Sequence, residues 1–385
     1  MNAKRPNILS LVPLLDSVHD LGGCAALESL ALLSSLGLRS TVLNVQSVWN
    51  SRPKTGTEAR AIPNLRYFRI PREVGDSTAG AFLFARIIGK IRELHSKERI
   101  DLLHAHGCFP CGHAAMLVRK ELDIPYVVSV HAREERSLHR AVGRAGRWSR
   151  SVSQRVYAES GRVICDNEHL REQVLQRTGR SCRTSVVYDG VDPHLFAPSV
   201  GTEEPPSKLL NVGKMIAAEE QHLLLRAVAQ LRREFPTLSL EIIGDGPEHS
   251  TLRNLNQELA ISDVVTFTKP HSREQRADAF KACTIFVLPG RSDEPGCNYL
   301  EAMSCGKAVI VTRQDGIPEV IQHGRNGFIV NPENEQQLVF AIGMLLRDPQ
   351  RRRNLGIAAR DTILDRFTMQ QHAEQLFRIY QQCMA

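Results

Sequence analysis

Asp293 and Glu301 are two carboxylates separated by seven residues in the stretch Pro289-Gly290-Arg291-Ser292-Asp293-Glu294-Pro295-Gly296-Cys297-Asn298-Tyr299-Leu300-Glu301-Ala302-Met303-Ser304-Cys305-Gly306. An apolar run, Thr284–Leu288, precedes this stretch and reads as a short buried strand. A Pro/Gly-rich loop follows the run, and a helix-forming segment opens near Gly296. A loop that leaves a strand and opens a helix presents free backbone N–H groups and the positive end of a dipole, which suits an anion. With Asp293 in the loop and Glu301 inside the helix, the two acids flank a phosphate-sized gap. That is a layout for a diphosphate carrying a sugar at each end. An ordinary strand–loop–helix turn of an α/β domain fits the same residues equally well.

Such a loop needs a sheet to hold it, and the chain is long enough for two. At 385 residues it exceeds one ordinary core and suits two domains of average size. Its 42% hydrophobic and 24% charged content is that of a globular protein rather than a disordered or membrane-embedded one. No apolar run is long enough to span a bilayer. Residues Met1 to Pro6 lead straight into a strand at Ile8–Val12 without a signal-peptide core, so a cytoplasmic location is expected. The nine cysteines, in that setting, read as free thiols rather than a disulfide framework.

Charge is uneven along the chain. Residues 1–198 hold 28 Lys and Arg against 19 Asp and Glu, a balance of +9 (28 less 19), so the remainder carries −2 of the total +7. A basic first half implies an anionic partner there. Arg136, Arg140, Arg144 and Arg147 fall at helical spacing within the arginine-rich segment Arg133–Arg155, and the same spacing suits a solvated helix face. Trp148 is the segment's one Trp, Phe or Tyr before its end, which argues against a stacking platform for nucleic acid.

The first half alternates strand-like and helix-like segments. Ile8–Val12, Ser40–Val45, Leu102–His104, Tyr126–Val130 and Arg162–Cys165 read as strands, with helix patterns at Cys24–Leu36 and Phe82–Lys97. Pro198–Ser207 is polar, proline-rich and without periodicity, as a linker should be. Alternation then restarts with Leu209–Val212, the helix His222–Phe235, Leu238–Ile243, Val264–Phe267, Ile285–Leu288, Ala308–Val311 and Phe328–Val330. The expected organisation is a first domain over 1–197, a linker over 198–207 and a second domain over 208–365. A C-terminal helix over 366–385 is expected to return to the first domain. Each domain would be a mostly parallel sheet with helices on both faces, and the cleft between two such domains is the default ligand site.

Eight segments occur in the order of one known pattern. They are Leu21–Ala25, His104–Gly107, Val128–Ala132, Asp189–Asp192, Val212–Lys214, Gly244–Pro247, Pro289–Met303 and Gly316–Val320. On these the chain resembles the retaining glycosyltransferases of the GT-B fold, family 4, from residue 8 to about 380. The resemblance implies an α/β fold of two Rossmann-like domains around a cleft. It also implies a metal-independent, hexosyltransferase-type enzyme that takes a nucleotide-sugar as substrate and needs no cofactor. Glycan, lipid-linked or other acceptors in cell-envelope or polysaccharide biosynthesis would follow. A GT-B-fold epimerase and a non-enzymatic nucleotide-sugar-binding protein are the alternatives.

Site roles follow from the same resemblance. Gly22 and Gly23 would let backbone approach a phosphate. Lys214 stands where the family usually has an arginine on the leaving diphosphate. Gly296, Cys297, Asn298 and Tyr299 would hold phosphates through their backbone, Asp293 would contact the donor sugar, and Glu301 would grip the ribose. Glu294 could replace Asp293 if the loop is shifted by one. His131 matches a family histidine near the reacting sugar and acceptor.

The departures concern the same site. Glu219 stands where the family has a second cation; either its side chain turns away, or another cation such as Arg291 substitutes, or donor binding is weak. Asp293 is shorter by a methylene than the usual Glu, Asp189 replaces an Asn, and Lys269 replaces a Gly. His104, His106, Cys108, Cys111 and His113 resemble a metal cluster, but no second Cys/His pair has zinc-finger spacing and the segment coincides with a strand and its loop. The basic half, the arginine stripe and Phe82–Lys97 imply an anionic or lipid-linked acceptor and peripheral contact with the inner face of an anionic membrane, with no nucleic-acid partner.

Overall fold

The structure is a computed structural model that describes residues 5–13, 24–47, 65–70, 77–132, 134–135, 143–199, 207–269, 272–291 and 297–385. Two compact units result: 1–189 together with 369–385, and 190–368.

The first unit is built on seven parallel strands: β1 (Asn7–Pro13), β2 (Arg39–Ser47), β3 (Leu65–Ile70), β4 (Leu102–His106), β5 (Tyr126–Val130), β6 (Arg162–Cys165) and β7 (Thr184–Val186). Their order is β3-β2-β1-β4-β5-β6-β7, so the chain reverses direction across the sheet between β1 and β4, the arrangement of a doubly wound fold. A parallel sheet covered on both faces needs apolar residues at nearly every strand position, and β4 and β5 are buried throughout. Leu9, Leu103, Val128 and Val163 face one core with Ile87, Ile91 and Val156. Ile8, Leu102, Val127 and Ile164, each one residue out of step, face the other core with Leu376, Ile379 and Tyr380. The last three belong to the C-terminal helix Met369–Met384, whose buried positions recur three and four residues apart. Burial of each large side chain there contributes about 2 kcal/mol.

The second unit has six parallel strands: β8 (Lys208–Val212), β9 (Ser239–Ile243), β10 (Val265–Thr268), β11 (Ile285–Leu288), β12 (Ala308–Thr312) and β13 (Phe328–Val330). Their order, β10-β9-β8-β11-β12-β13, repeats the reversal, here between β8 and β11. Leu209, Ile242, Val287 and Ile310 meet helix residues Leu224, Val228 and Leu345 in its core.

Two features differ from the sequence reading. The division between the units falls at Asp189/Gly190 rather than after residue 197. The segment from Gly190 is held in the second unit: Val191 N–H donates to the Phe367 carbonyl at 2.9 Å, and the Ser304 hydroxyl donates to the Phe196 carbonyl at 2.7 Å. The second unit likewise runs to Thr368 rather than to 365. Strand β3 is not marked by sequence pattern because Arg66 and Arg69 interrupt its apolar run. Among the described residues it is an edge strand, with a sheet neighbour on one side.

Candidate functional site

Several residues expected on the donor side lie at the carboxyl ends of β8 and β11. The helix after β11 spans Asn298–Ser304, with Cys297 as its N-terminal flanking residue and no side-chain cap. Asn298 Nδ2 donates to the Val212 carbonyl at 2.9 Å, which ties this helix start to the end of β8, two residues before Lys214. Gly290 is required by close approach: a Cβ there would stand 2.3 Å from Glu219 Cα, so backbone lies directly on backbone. Arg291 N–H donates to the Ala218 carbonyl at 2.8 Å across the same junction. Asp293, Glu294 and Gly296 lie outside the described residues, as do Gly22 and Gly23.

Glu301 is 4% exposed, and its Oε1 accepts from Arg276 Nη2 at 2.8 Å. Burial pushes the carboxyl above its ordinary range, opposed by the positive charges of Arg276 and Arg273. Its second oxygen, Oε2, is buried and accepts no hydrogen bond from the described residues. A carboxylate fixed on one oxygen by an arginine, with the other left as an acceptor, is suited to a hydroxyl donor. Tyr299 is also buried in this helix.

Glu219 is buried, and its Oε2 lies 3.4 Å from where a Cβ on Gly213 would stand, an ordinary contact. Glu220 follows in the left-handed region at φ 49°, with its Oε1 4.0 Å from Arg291 Nε. Arg291 Nη2 is 3.1 Å from Glu333 Oε1, so its charge faces two acids. Lys214 is exposed.

The first unit arranges its polar residues at the carboxyl ends of β4, β5 and β6. His106 ends β4, His131 follows β5 and Asp166 follows β6. His131 Nδ1 lies 3.3 Å from Asp166 Oδ2, and the His106 and His131 rings stack at 6.2 Å with 11° between their planes. Deeper in the sheet, His104 is hydrogen-bonded through Nδ1 to the Tyr380 hydroxyl at 2.6 Å and through Nε2 to Ser129 Oγ at 2.7 Å. Burial, reinforced by the neighbouring histidines, lowers His104 to about 3 and holds His106 well below the ordinary histidine range. Both are therefore neutral near pH 7.

The loop after His131 is pinned twice. Glu134 Oε1 accepts from the backbone N–H of Cys108 at 2.7 Å and of Phe109 at 3.0 Å, although burial pushes its carboxyl up. Gly107, at φ 83°, leaves room for that carboxylate: a Cβ would stand 3.0 Å from Glu134 Oε2. Glu135 forms a buried ion pair with Arg177 and accepts from the Tyr157 hydroxyl at 2.8 Å.

The His/Cys run from His104 to His113 sends its side chains to separate neighbours. His104 bonds Tyr380 and Ser129, while His113 packs against Phe109 and Trp148. Cys108 and Cys111 are buried thiols pushed up by burial. Of the arginine stripe, Arg136 and Arg140 lie outside the described residues, and Arg147 is exposed on the helix Gly143–Glu159. Sequence reasoning missed Asp166, Arg276 and Glu134. Asp166 had a usable signal, since it follows β6 as His131 follows β5. Arg276 had none, being an ordinary arginine on the helix Arg273–Ala282, 25 residues from Glu301.

Residues 196–362 match the family model described as glycosyl transferases group 1, and residues 30–195 match that of glycosyltransferase family 4. A GDP-mannose-dependent alpha-(1-6)-phosphatidylinositol monomannoside mannosyltransferase of Mycolicibacterium smegmatis is 26% identical over 300 residues, 72% of this chain and 76% of its own length. The sucrose-phosphate synthase of Thermosynechococcus elongatus superposes with a TM-score of 0.78 at 21% identity, covering 98% of this chain and 99% of that one. Anabaena HepE in complex with UDP gives 0.76 at 20% identity, covering 97% and 98%.

Proposed function

The chain belongs to the group 1 glycosyltransferases and has their two-domain GT-B fold, and from that membership we propose a retaining, metal-independent transfer of a sugar from a nucleotide-sugar to an acceptor hydroxyl. The observation that carries the donor assignment is Glu301, buried and bonded to Arg276 through one oxygen while the other accepts nothing from the described residues. A ribose hydroxyl is a neutral donor that this oxygen can accept without adding charge to the pocket. The curated relative is named for GDP-mannose and HepE was solved with UDP, so both names point to a nucleotide or nucleotide-sugar rather than to one base.

In this reading, Lys214 and the backbone at Cys297 to Tyr299 hold the diphosphate, with Gly296 ahead of them. As the bond from the anomeric carbon to the diphosphate breaks, its electron pair stays on the diphosphate oxygen. Lys214 and the helix N–H groups stabilise that charge, which is the part a metal would otherwise play. The acceptor oxygen bonds the anomeric carbon on the face the diphosphate leaves, and its hydroxyl proton passes to the departing diphosphate oxygen. Asp293 or its neighbour Glu294 contacts the donor sugar, and Gly22, Gly23 and His131 serve the reacting side from the first unit. Glu219 is buried, with its carboxylate beside Gly213.

The +9 balance of residues 1–198 and the phosphatidylinositol-based acceptor in the relative's name support an anionic or lipid-linked acceptor at the cytoplasmic face of a membrane. Among the described residues no helix is long and apolar enough to cross one. Thermal unfolding with a panel of UDP-, GDP- and ADP-sugars tests the donor reading. One class should raise stability by about 2.7 kcal/mol at a hundred times its Kd, and release of free nucleotide should then require acceptor. No shift with any nucleotide-sugar defeats the reading. Co-sedimentation with anionic vesicles at low salt checks the membrane reading, and protein left in the supernatant defeats it.

A further inference from the structure

Asp166 and His131 come from segments 35 residues apart, and the sheet register brings them together. In the β5–β6 pairing Val130 is opposite Cys165, so the next residue of each strand, His131 and Asp166, leaves the sheet side by side. Both are half-buried, with 22% and 31% of their side chains exposed. A pair at this depth is less screened than a surface pair and is held by backbone rather than by two flexible stems.

The imidazole is restrained on its other sides as well. The His106 ring stacks against it, and the Glu134 and Glu135 anchors hold its loop. Glu134, His104 and His106 are the further titratable groups around His131. His372 of the C-terminal helix also feels the Asp166 charge, while its Nδ1 is committed to the Tyr188 carbonyl at 2.7 Å.

We propose that Asp166 is a positioning residue that fixes the tautomer of His131. Resting on the transferase reading above, the assignment goes one step further than naming the histidine. A carboxylate accepts and cannot donate, so the proton of the neutral ring sits on Nδ1, and Nε2 becomes an acceptor nitrogen. Nε2 is buried in this structure, and in this tautomer it can meet a sugar or acceptor hydroxyl only as a hydrogen-bond acceptor. An amide in place of the carboxylate offers an N–H to Nδ1 and lets the ring take the other tautomer.

The experiment uses the full chain labelled with ¹⁵N-histidine, with the His131 signal assigned by its loss in His131→Gln. The wild type should show a protonated Nδ1 and an unprotonated Nε2, Asp166→Asn should move that pattern, and Asp166→Glu should keep it. In transfer assays Asp166→Asn should lower kcat about tenfold or more with donor KM little changed, and Asp166→Glu should recover most of the rate. In a His131→Ala background the Asp166→Asn change should cost nothing further, since the two act as one unit. An unchanged nitrogen pattern in Asp166→Asn overturns the proposal, and so does an equal loss in the His131→Ala background. Because the nitrogen signature needs no substrate, a wild type inactive with every donor defeats the transfer reading, while the signature still decides the Asp166 pairing.

Discussion

The two sheets put their polar residues at the same kind of edge, the carboxyl ends of parallel strands, and handle charge there in opposite ways. In the second unit charge is buried and matched: Glu301 on Arg276, with Arg273 nearby, and Glu220 near Arg291. In the first unit the histidines of β4 are kept neutral, while the buried Glu135–Arg177 ion pair holds the loop after His131. His104 and His106 are deprived of their charge by burial, and His104 is satisfied by a tyrosine and a serine hydroxyl. Under the proposed function the second region holds a diphosphate and needs fixed charge, because that charge must exist before the ligand arrives. A region that meets sugar hydroxyls is better served by neutral donors and acceptors, which select by direction and do not attract stray ions.

Substitutions at the matched end should have the largest effect. Glu301→Gln keeps the shape and an acceptor for Arg276 but removes the carboxylate, so transfer should fall by about a hundredfold or more, with some loss of stability because the buried pair with Arg276 loses its negative charge. Equal activity in the variant would break the contrast at its strongest point.

Arg276→Ala should act on stability as well, leaving a buried carboxylate uncompensated at a cost of about 3–5 kcal/mol near neutral pH. The sign follows from Glu301, whose folded value lies above the ordinary 4.5. Its contribution is most favourable below 4.5, where the group is protonated in both states, and is lost as pH rises through the raised folded value. Without Arg276 the folded value rises further, so the variant should recover stability on acidification over a wider window than the wild type. Urea unfolding from pH 4 to 8 checks this.

The neutral end should respond with the opposite slope. His104 is lowered from 6.5 to about 3, so the unfolded chain binds its proton first and stability falls as pH drops from 6.5 toward 3. His104→Gln should flatten that acid-side loss and cost about 1–2 kcal/mol at pH 7 through its altered hydrogen bonds to Tyr380 and Ser129. An unchanged acid slope would show that His104 is not held neutral by its surroundings. The smallest effect should come from chelation: transfer by wild type in excess EDTA should stay within about twofold, since Lys214 and the helix start are assigned the leaving-group charge.

Much of the fold was legible because buried parallel strands must be apolar on both faces, and runs such as Tyr126–Val130 and Ala308–Thr312 cannot easily be anything else. Strand β3 escaped because its arginines mask the pattern, and the unit boundary moved because Val191 and Phe196 anchor a stretch that otherwise resembles the end of a domain. At the site, Glu301 could be named from its place in a helix start after a strand, and Lys214 and His131 from the resemblance to the family. Of their partners, Asp166 carried a signal in its position after β6 and Arg276 carried none, and neither pairing could be read. Arg276 lies 25 residues from Glu301 and Asp166 lies 35 from His131, and no local pattern measures such separations.

By itself, then, the order of residues determined the alternation of strands and helices and the polar groups at the strand ends, because hydrophobic period and turn chemistry are local. Tertiary structure decided which of those groups meet and which keep their charge. Register set beside each other residues that follow neighbouring strands, helix packing brought Arg276 to Glu301, and burial raised Glu301 while it lowered His104. Contact and desolvation belong to the assembled chain, and no stretch of sequence contains them alone.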